Sequence, residues 1–244
     1  MDPLTSAAAS GIRSRIEGLD LLANNIANAS SPGFKADREF YNIYIAPEAA
    51  ASPEGTTPVV LPVVKTQWID FSQGSLTPTG NPLDLALNGQ GFFVVSASPN
   101  RLFTRGGSFR LSPSGQLETP EGYAVQDQSG KPILLDSSKA VEVSPDGTIR
   151  QGGEDIAQIA LVNFRDPSQI SKRGDNYFVA DVPPTAALQA EVQQATLEAA
   201  NSQPTQSAVR LINILRQFET LQKAMSIGAE MNRSAVQEVA KVTQ

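Results

Sequence analysis

The sequence predicts an α+β protein: long N- and C-terminal helices paired as a coiled-coil-like stem, with a central antiparallel β-rich domain between them. Three observations lead there. Apolar residues recur at helical spacing at both ends of the chain, short runs in the middle alternate apolar with other residues, and Gly-containing turn pairs punctuate those runs. The 244 residues suffice for one large or two modest domains with an ordinary hydrophobic core.

Residues 1–35 read as an N-terminal helix and a turn motif. Asp2-Pro3 supplies an N-cap and a first helical residue, because Asp can accept from orphan amides and Pro loses no hydrogen bond there. Ile12, Ile16, Leu19, Ala23 and Ile26 then form a heptad-like stripe. A second face carries only small residues, among them Gly11 and Gly18, about 140° away around the helix. The helix is expected to stop before Ser31-Pro32-Gly33, since the residue before Pro avoids the helical region. Residues 36–72 are rich in Pro and Ala (Pro47, Pro53, Pro58, Pro62) and read as an extended connector.

Residues 73–182 have the texture of a β domain. Leu83-Asp84-Leu85-Ala86-Leu87, Phe92-Phe93-Val94-Val95, Ile159-Ala160-Leu161-Val162 and Tyr177-Phe178-Val179 are separated by Asn88-Gly89, Gly106-Gly107, Ser114-Gly115, Ser129-Gly130 and Asp146-Gly147. No helical period long enough to cross between parallel strands interrupts them. Residues 183–203, rich in Ala and Gln, read as a linker to a C-terminal helix at 204–244. That helix has an apolar stripe including Leu211, Leu215, Phe218, Leu221 and Met225, wider than a two-helix seam requires. Gly228 within it costs about 1 kcal/mol relative to Ala, too little to break so long a run.

Composition excludes much chemistry. Lys and Arg number 19 against 25 Asp and Glu, for a net charge of −6, so no basic face is expected for nucleic acid. With no Cys there is neither a disulfide nor a thiolate nucleophile, and with no His the usual general base and commonest metal ligand are missing. Gly89-Gln90-Gly91 begins like a dinucleotide loop, but Val94 stands where the third Gly belongs and strand-like residues follow. Ser108 in Gly106-Gly107-Ser108-Phe109-Arg110 lacks the last Gly and the His of a nucleophile elbow. Asp70, Asp84, Asp127, Asp136, Asp146, Glu154 and Asp155 mostly abut turns, where carboxylates bond local backbone. No catalytic residue, metal site or cofactor is expected. No segment approaches the ~20 apolar residues of a membrane-spanning helix, and the acidic Met1-Asp2-Pro3-Leu4 start lacks the basic region of a cleavable secretory signal.

Two helices of this kind could close on each other within one chain. Two features favour association with other chains instead: the N-terminal helix has nearly opposed apolar and small faces, and the C-terminal stripe exceeds what one partner covers. The candidate interface comprises Ile12, Ile16, Leu19, Ala23, Ile26, Gly11, Gly18, Asn24, Asn25, Asn28, Leu211, Leu215, Phe218, Leu221 and Met225. A self-contained β-rich binding or adhesin module with a helical base is the alternative reading.

Motifs along nearly the whole chain resemble the rod and hook family of bacterial flagellar axial proteins. They are Asn24-Asn25-Ile26-Ala27-Asn28-Ala29-Ser30-Ser31-Pro32-Gly33-Phe34-Lys35, Gln73-Gly74-Ser75-Leu76, Thr79 to Phe93, Phe103-Thr104-Arg105-Gly106-Gly107-Ser108-Phe109, Gly174-Asp175-Asn176-Tyr177-Phe178 and Arg216-Gln217-Phe218-Glu219. Ser31 stands where the family usually has Thr, and Phe218 where it has Tyr. The Met1-Asp2-Pro3-Leu4 start and the short length are most similar to the proximal-rod subgroup. The resemblance implies a non-enzymatic rod subunit that polymerises through its terminal helices into a torque-transmitting shaft around an export channel, with its β domain outside. Its implied partners are other rod subunits, copies of itself and the flagellar export apparatus, with neither nucleic acid nor direct membrane insertion. The implied location is the periplasm-spanning basal-body rod, reached by type III export without a cleaved signal. On this reading Asn24, Asn25 and Asn28 lie at the helix exit, as C-capping residues or subunit contacts.

Overall fold

The computed structural model describes residues 3–45, 60–97, 100–174 and 176–242. Asp2 and the prolines at 47, 53 and 58 lie outside the described residues. In chain order the elements are α1 (Pro3–Ala27), β1 (Asp37–Ile45), β2 (Val60–Ile69), β3 (Leu76–Pro78), β4 (Leu85–Asn88), β5 (Phe92–Ala97), β6 (Asn100–Thr104), β7 (Arg110–Leu111), β8 (Leu117–Glu118) and β9 (Ala124–Val125). They continue with β10 (Val141–Val143), β11 (Thr148–Gln151), β12 (Glu154–Gln158), β13 (Leu161–Asn163), β14 (Ile170–Lys172), β15 (Tyr177–Ala180), β16 (Thr185–Ala186), β17 (Glu191–Gln194), β18 (Thr196–Glu198) and α2 (Pro204–Val242). Among the described residues, no helix is long and apolar enough to cross a membrane.

Two compact units result. The helical unit takes the described parts of residues 1–26, 37–68 and 204–244, and the β unit takes those of 27–36 and 69–203.

In the helical unit α1 begins at Pro3, whose missing N–H is no loss in a first turn. α2 runs for 39 residues from Pro204, and Gly228 does not interrupt it. β1 pairs with β2, so the stretch expected to run as an extended connector contains a two-stranded ribbon.

The long paired coiled-coil stem is not what the structure shows. The described chain has one N-terminal and one C-terminal helix around a large β-rich middle. The reason lies on α1. Among its described side chains the buried ones are Gly11, Ser14, Gly18, Leu22 and Asn25, the small face and its continuation rather than the apolar stripe. Coiled coils need repeated apolar knobs on both helices, and this face offers two glycines, a serine and an asparagine beside a single large apolar residue, Leu22. It allows close approach instead: a Cβ added to Gly11 would lie 3.4 Å from Leu221 Cδ1 of α2.

In the β unit every paired strand with a defined register is antiparallel. The largest sheet runs β14-β15-β6-β5-β9-β8-β7, with β13 also pairing β5 and joined by β16. β10-β11-β12 form a three-stranded sheet, while β17 pairs with β4 and β18 with β3. The stretch from 183 to 203 therefore contributes three strands to this unit.

Two cores flank the main sheet, which explains the unbroken apolar run in β5. Phe93 and Val95 join one cluster with Leu85, Leu102, Ile149 and Tyr177, while Phe92 and Val94 join a second with Phe103, Ile170 and Phe178. Successive residues of a strand point to opposite faces, so a strand buried on both sides carries no polar positions. Phe178 is fully buried, with its ring 5.4 Å from that of Phe71 and 5.5 Å from that of Phe92. Gly107 has a negative φ and serves close approach rather than a turn: a Cβ there would lie 1.5 Å from the Leu85 carbonyl oxygen.

Candidate functional site

The interface residues read from sequence separate into covered and uncovered positions. On α1, Gly11, Gly18 and Asn25 are buried, Ile12, Leu19 and Ile26 half-buried, and Ile16, Ala23 and Asn24 exposed. On α2, Leu211, Phe218, Leu221 and Met225 are half-buried, on the side that includes the buried Ile214 and Gly228. Leu215 is exposed, as are Val209, Ile212, Ile227 and Met231. Ile16 is 46%, Ile212 51% and Met231 67% exposed, large values for branched or long apolar side chains on regular helices.

Asn25 has a defined structural task. Its Nδ2 donates to the Asp37 carbonyl at 2.8 Å, and its Oδ1 accepts from the Asp37 amide at 2.9 Å. This two-way clasp fixes the start of β1 against the end of α1. Asn25→Ala strands a backbone donor and an acceptor, and is expected to lower the stability of this region by about 1–3 kcal/mol. Faster hydrogen exchange at the Asp37 amide checks it. Asn28 is half-buried at the turn, where its carbonyl accepts from the Ser31 amide at 3.0 Å.

Within the β unit lies a buried ion cluster that sequence reading missed: Lys35, Arg105 and Glu198. Glu198 Oε1 accepts from Lys35 Nζ at 2.6 Å and from the Gly74 amide at 2.9 Å. Its Oε2 accepts from Arg105 Nε and Nη2, each at 2.8 Å. Arg105 Nη1 donates to the carbonyls of Gly89 and Gly91 at 2.8 Å, and Nη2 to that of Leu87 at 3.1 Å. The guanidinium is thereby held by four hydrogen bonds and an ion pair. Lys35 Nζ also donates to the Ser72 carbonyl at 2.7 Å. Burial lowers the Lys35 pKa from its usual 10.5, and the Glu198 carboxylate opposes that shift.

The cluster converges from the turn after α1, the loop between β2 and β3, the β4–β5 loop, the residue following β6, and β18. The Gly89-Gln90-Gly91 turn that resembled a dinucleotide loop thus presents two carbonyls to Arg105, with Gly89 at φ +100°. Gly33, in the same signature turn as Lys35, has φ +72°, and a Cβ there would lie 2.3 Å from the Arg105 carbonyl carbon.

Other carboxylates serve local structure. Asp84 accepts from Thr79 Oγ1 at 2.7 Å and Asn81 Nδ2 at 3.0 Å. Asp127 accepts from the Lys131 amide and Ser129 Oγ, which hold its carboxyl below the usual 3.8. Bonds from Ser138 to Asp136 and from Thr148 to Asp146 act in the same direction. Among the described residues no three acidic side chains converge in a way that could hold a metal ion.

Large apolar side chains left exposed on α1 and α2 define a structural, assembling class of protein, and comparison with known proteins specifies it. Residues 86–151 match the flagellar hook protein FlgE/F/G D1 domain, and residues 193–238 match the flagellar basal body rod FlgEFG protein C-terminal family. The chain is 37% identical over 227 residues to the flagellar basal-body rod protein FlgF of Caulobacter vibrioides, covering 92% of each. It is 30% identical over 223 residues to FlgF of Mesorhizobium japonicum, covering 89% of this chain and 90% of that one. It is also 30% identical over 255 residues to FlgG of C. vibrioides, covering 94% and 97% respectively.

The chain belongs to the flagellar basal-body rod protein family. It is a structural subunit of the basal-body rod, and assembly with other rod subunits follows from that membership.

Proposed function

We propose that this subunit polymerises through the uncovered faces of α1 and α2, in the proximal part of the rod, into a torque-transmitting shaft around an export channel. The carrying observation is the run of exposed large apolar residues on both helices: Ile16 on α1, and Val209, Ile212, Leu215, Ile227 and Met231 on α2. Hydrophobic burial stabilises by about 25 cal/mol per Å², so an isolated chain leaves that free energy unrealised. A head-to-tail contact whose rotation does not close generates a helical filament, the form a shaft requires. Neighbours are copies of this chain and other rod subunits. The β unit carries its own two cores and the buried ion cluster. The role is mechanical rather than enzymatic, without cofactor, nucleic acid or membrane insertion. Export proceeds through the flagellar type III apparatus without a cleaved signal.

Removing residues 3–27 tests the reading. The shortened chain is expected to keep the hydrogen-exchange protection of β5 and β6 while losing incorporation into rods. Incorporation at the full level overturns it. The binding-module alternative requires the shortened chain to retain its binding.

A further inference from the structure

Asn88-Gly89, at the end of β4, is the one Asn-Gly pair in the sequence. Such a pair carries a chemistry of its own. The Gly89 amide nitrogen attacks the Asn88 Cγ and a ring N–C bond forms. The Cγ–Nδ2 bond breaks, and the Gly89 amide proton passes through water to the departing nitrogen, which leaves as ammonia. Water then opens the succinimide at either carbonyl, giving Asp or isoaspartate at residue 88. Glycine in second place hinders the attack least, because it has no Cβ. The fold requires that glycine: Gly89 has φ +100°, and a Cβ there would lie 2.8 Å from the Gln189 carbonyl oxygen. Asn88 is exposed, so water reaches the reacting groups.

The backbone on both sides of Asn88 is held. Gln73 Nε2 donates to the Leu87 carbonyl at 3.3 Å, and Gln73 Oε1 accepts from the Gly89 amide at 3.1 Å. Arg105 donates to the carbonyls of the same two residues, from Nη2 to Leu87 at 3.1 Å and from Nη1 to Gly89 at 2.8 Å. One carboxamide thus spans Asn88 as a neighbouring strand would, and it engages the N–H that cyclisation consumes. Either product would disturb the β unit. Asn88 stands opposite Glu191 in the β4–β17 register, so Asp at residue 88 faces a like charge directly across the pair. Isoaspartate adds a methylene to the backbone between two carbonyls bonded by a single guanidinium.

We propose that Asn88-Gly89 is a deamidation site guarded by Gln73, whose carboxamide keeps the Gly89 N–H engaged and the flanking backbone fixed so that the ring does not close. The guard connects the Gln73-Gly74-Ser75-Leu76 motif with the Asn88-Gly89 turn, and it is independent of how the helices assemble.

The test incubates the full chain at neutral pH and follows residue 88 by peptide mass spectrometry and isoaspartate-specific methylation. The parent is expected to convert at least about tenfold more slowly when folded than when unfolded in urea, the effect of two hydrogen bonds of ordinary strength. Gln73→Ala removes both Gln73 bonds and is expected to convert about tenfold faster than the folded parent. Gln73→Met, of similar length without the carboxamide, is expected to do the same. Hydrogen-exchange protection of β5 and β6 verifies that both variants are folded. Val125→Ala opens a cavity in the core of the same unit and leaves Gln73 in place, so it separates a local guard from general loosening. It is expected to convert at close to the parent's rate. Conversion of the folded parent as fast as the unfolded chain overturns the proposal. So do equal rates in the parent and the two Gln73 variants, or an acceleration in Val125→Ala that matches theirs.

Discussion

Glu198→Ala is expected to destabilise the β unit by about 3–5 kcal/mol, measured by urea denaturation followed at Trp-independent amide signals of β5 and β6. Removing this one carboxylate leaves Lys35 and Arg105 buried as uncompensated cations and deprives the Gly74 amide of its acceptor. A buried ion pair is by itself weak evidence of stability, because apolar residues of similar volume often replace it at no loss. This cluster differs in its backbone partners. Arg105 donates to the carbonyls of Leu87, Gly89 and Gly91 and Lys35 to that of Ser72, while Gln73 Nε2 also reaches the Leu87 carbonyl and Asn201 Nδ2 that of Ser72. Replacing all three charges with apolar residues removes the Arg105 donors from the Gly89 and Gly91 carbonyls and the acceptor from the Gly74 amide, so a Lys35→Met, Arg105→Met, Glu198→Leu triple variant is also expected to be less stable than the parent. Stability equal to the parent in the triple variant would show the cluster to be dispensable.

Ile212→Asp is expected to leave the urea midpoint of the β unit unchanged and to weaken incorporation into rods more than about 30-fold. The residue is half exposed in the single chain, so a charge there is tolerated before assembly. On assembly the same carboxylate must enter an apolar contact, at a cost of at least about 2 kcal/mol per interface. Ile16→Asp on α1 is expected to behave in the same way. A cosedimentation assay with rod subunits reads both, and equal incorporation of variant and parent would contradict the placement of the contact.

Local features were legible in the sequence because their causes are local. Pro3 and Pro204 mark helix starts, and Gly89, Gly115, Gly130 and Gly147 all adopt the positive φ that their turn pairs suggested. Gly106-Gly107 shares the composition of those pairs without the conformation, since Gly107 answers to the Leu85 backbone. The stem was misread because a stripe shows which residues could be covered, whereas coverage depends on a partner. On α1 that turned out to be the small face. The ion cluster was invisible for a different reason: Lys35 and Glu198 lie 163 positions apart, and Arg105 and Glu198 lie 93 apart. The one available signal was charge inside otherwise tight sequence, with Lys35 closing the signature turn and Arg105 preceding two glycines. The Ala/Gln-rich composition of 183–203 gave no reason to expect β18, because short strands paired at their edges need little apolar content.

The absence of cysteine from the chain permits a direct test of where subunits meet. Single cysteines at Ile212 on α2 and at Ile16 on α1, with Lys139→Cys in an exposed turn of the β unit as the comparison, can be oxidised in assembled rods and resolved on non-reducing gels. Disulfide- or bis-maleimide-linked dimers, or adducts with cysteine-bearing rod partners, are expected at the two helix positions and not at residue 139. Linkage at residue 139 with none at either helix position would contradict the assignment of assembly to the terminal helices.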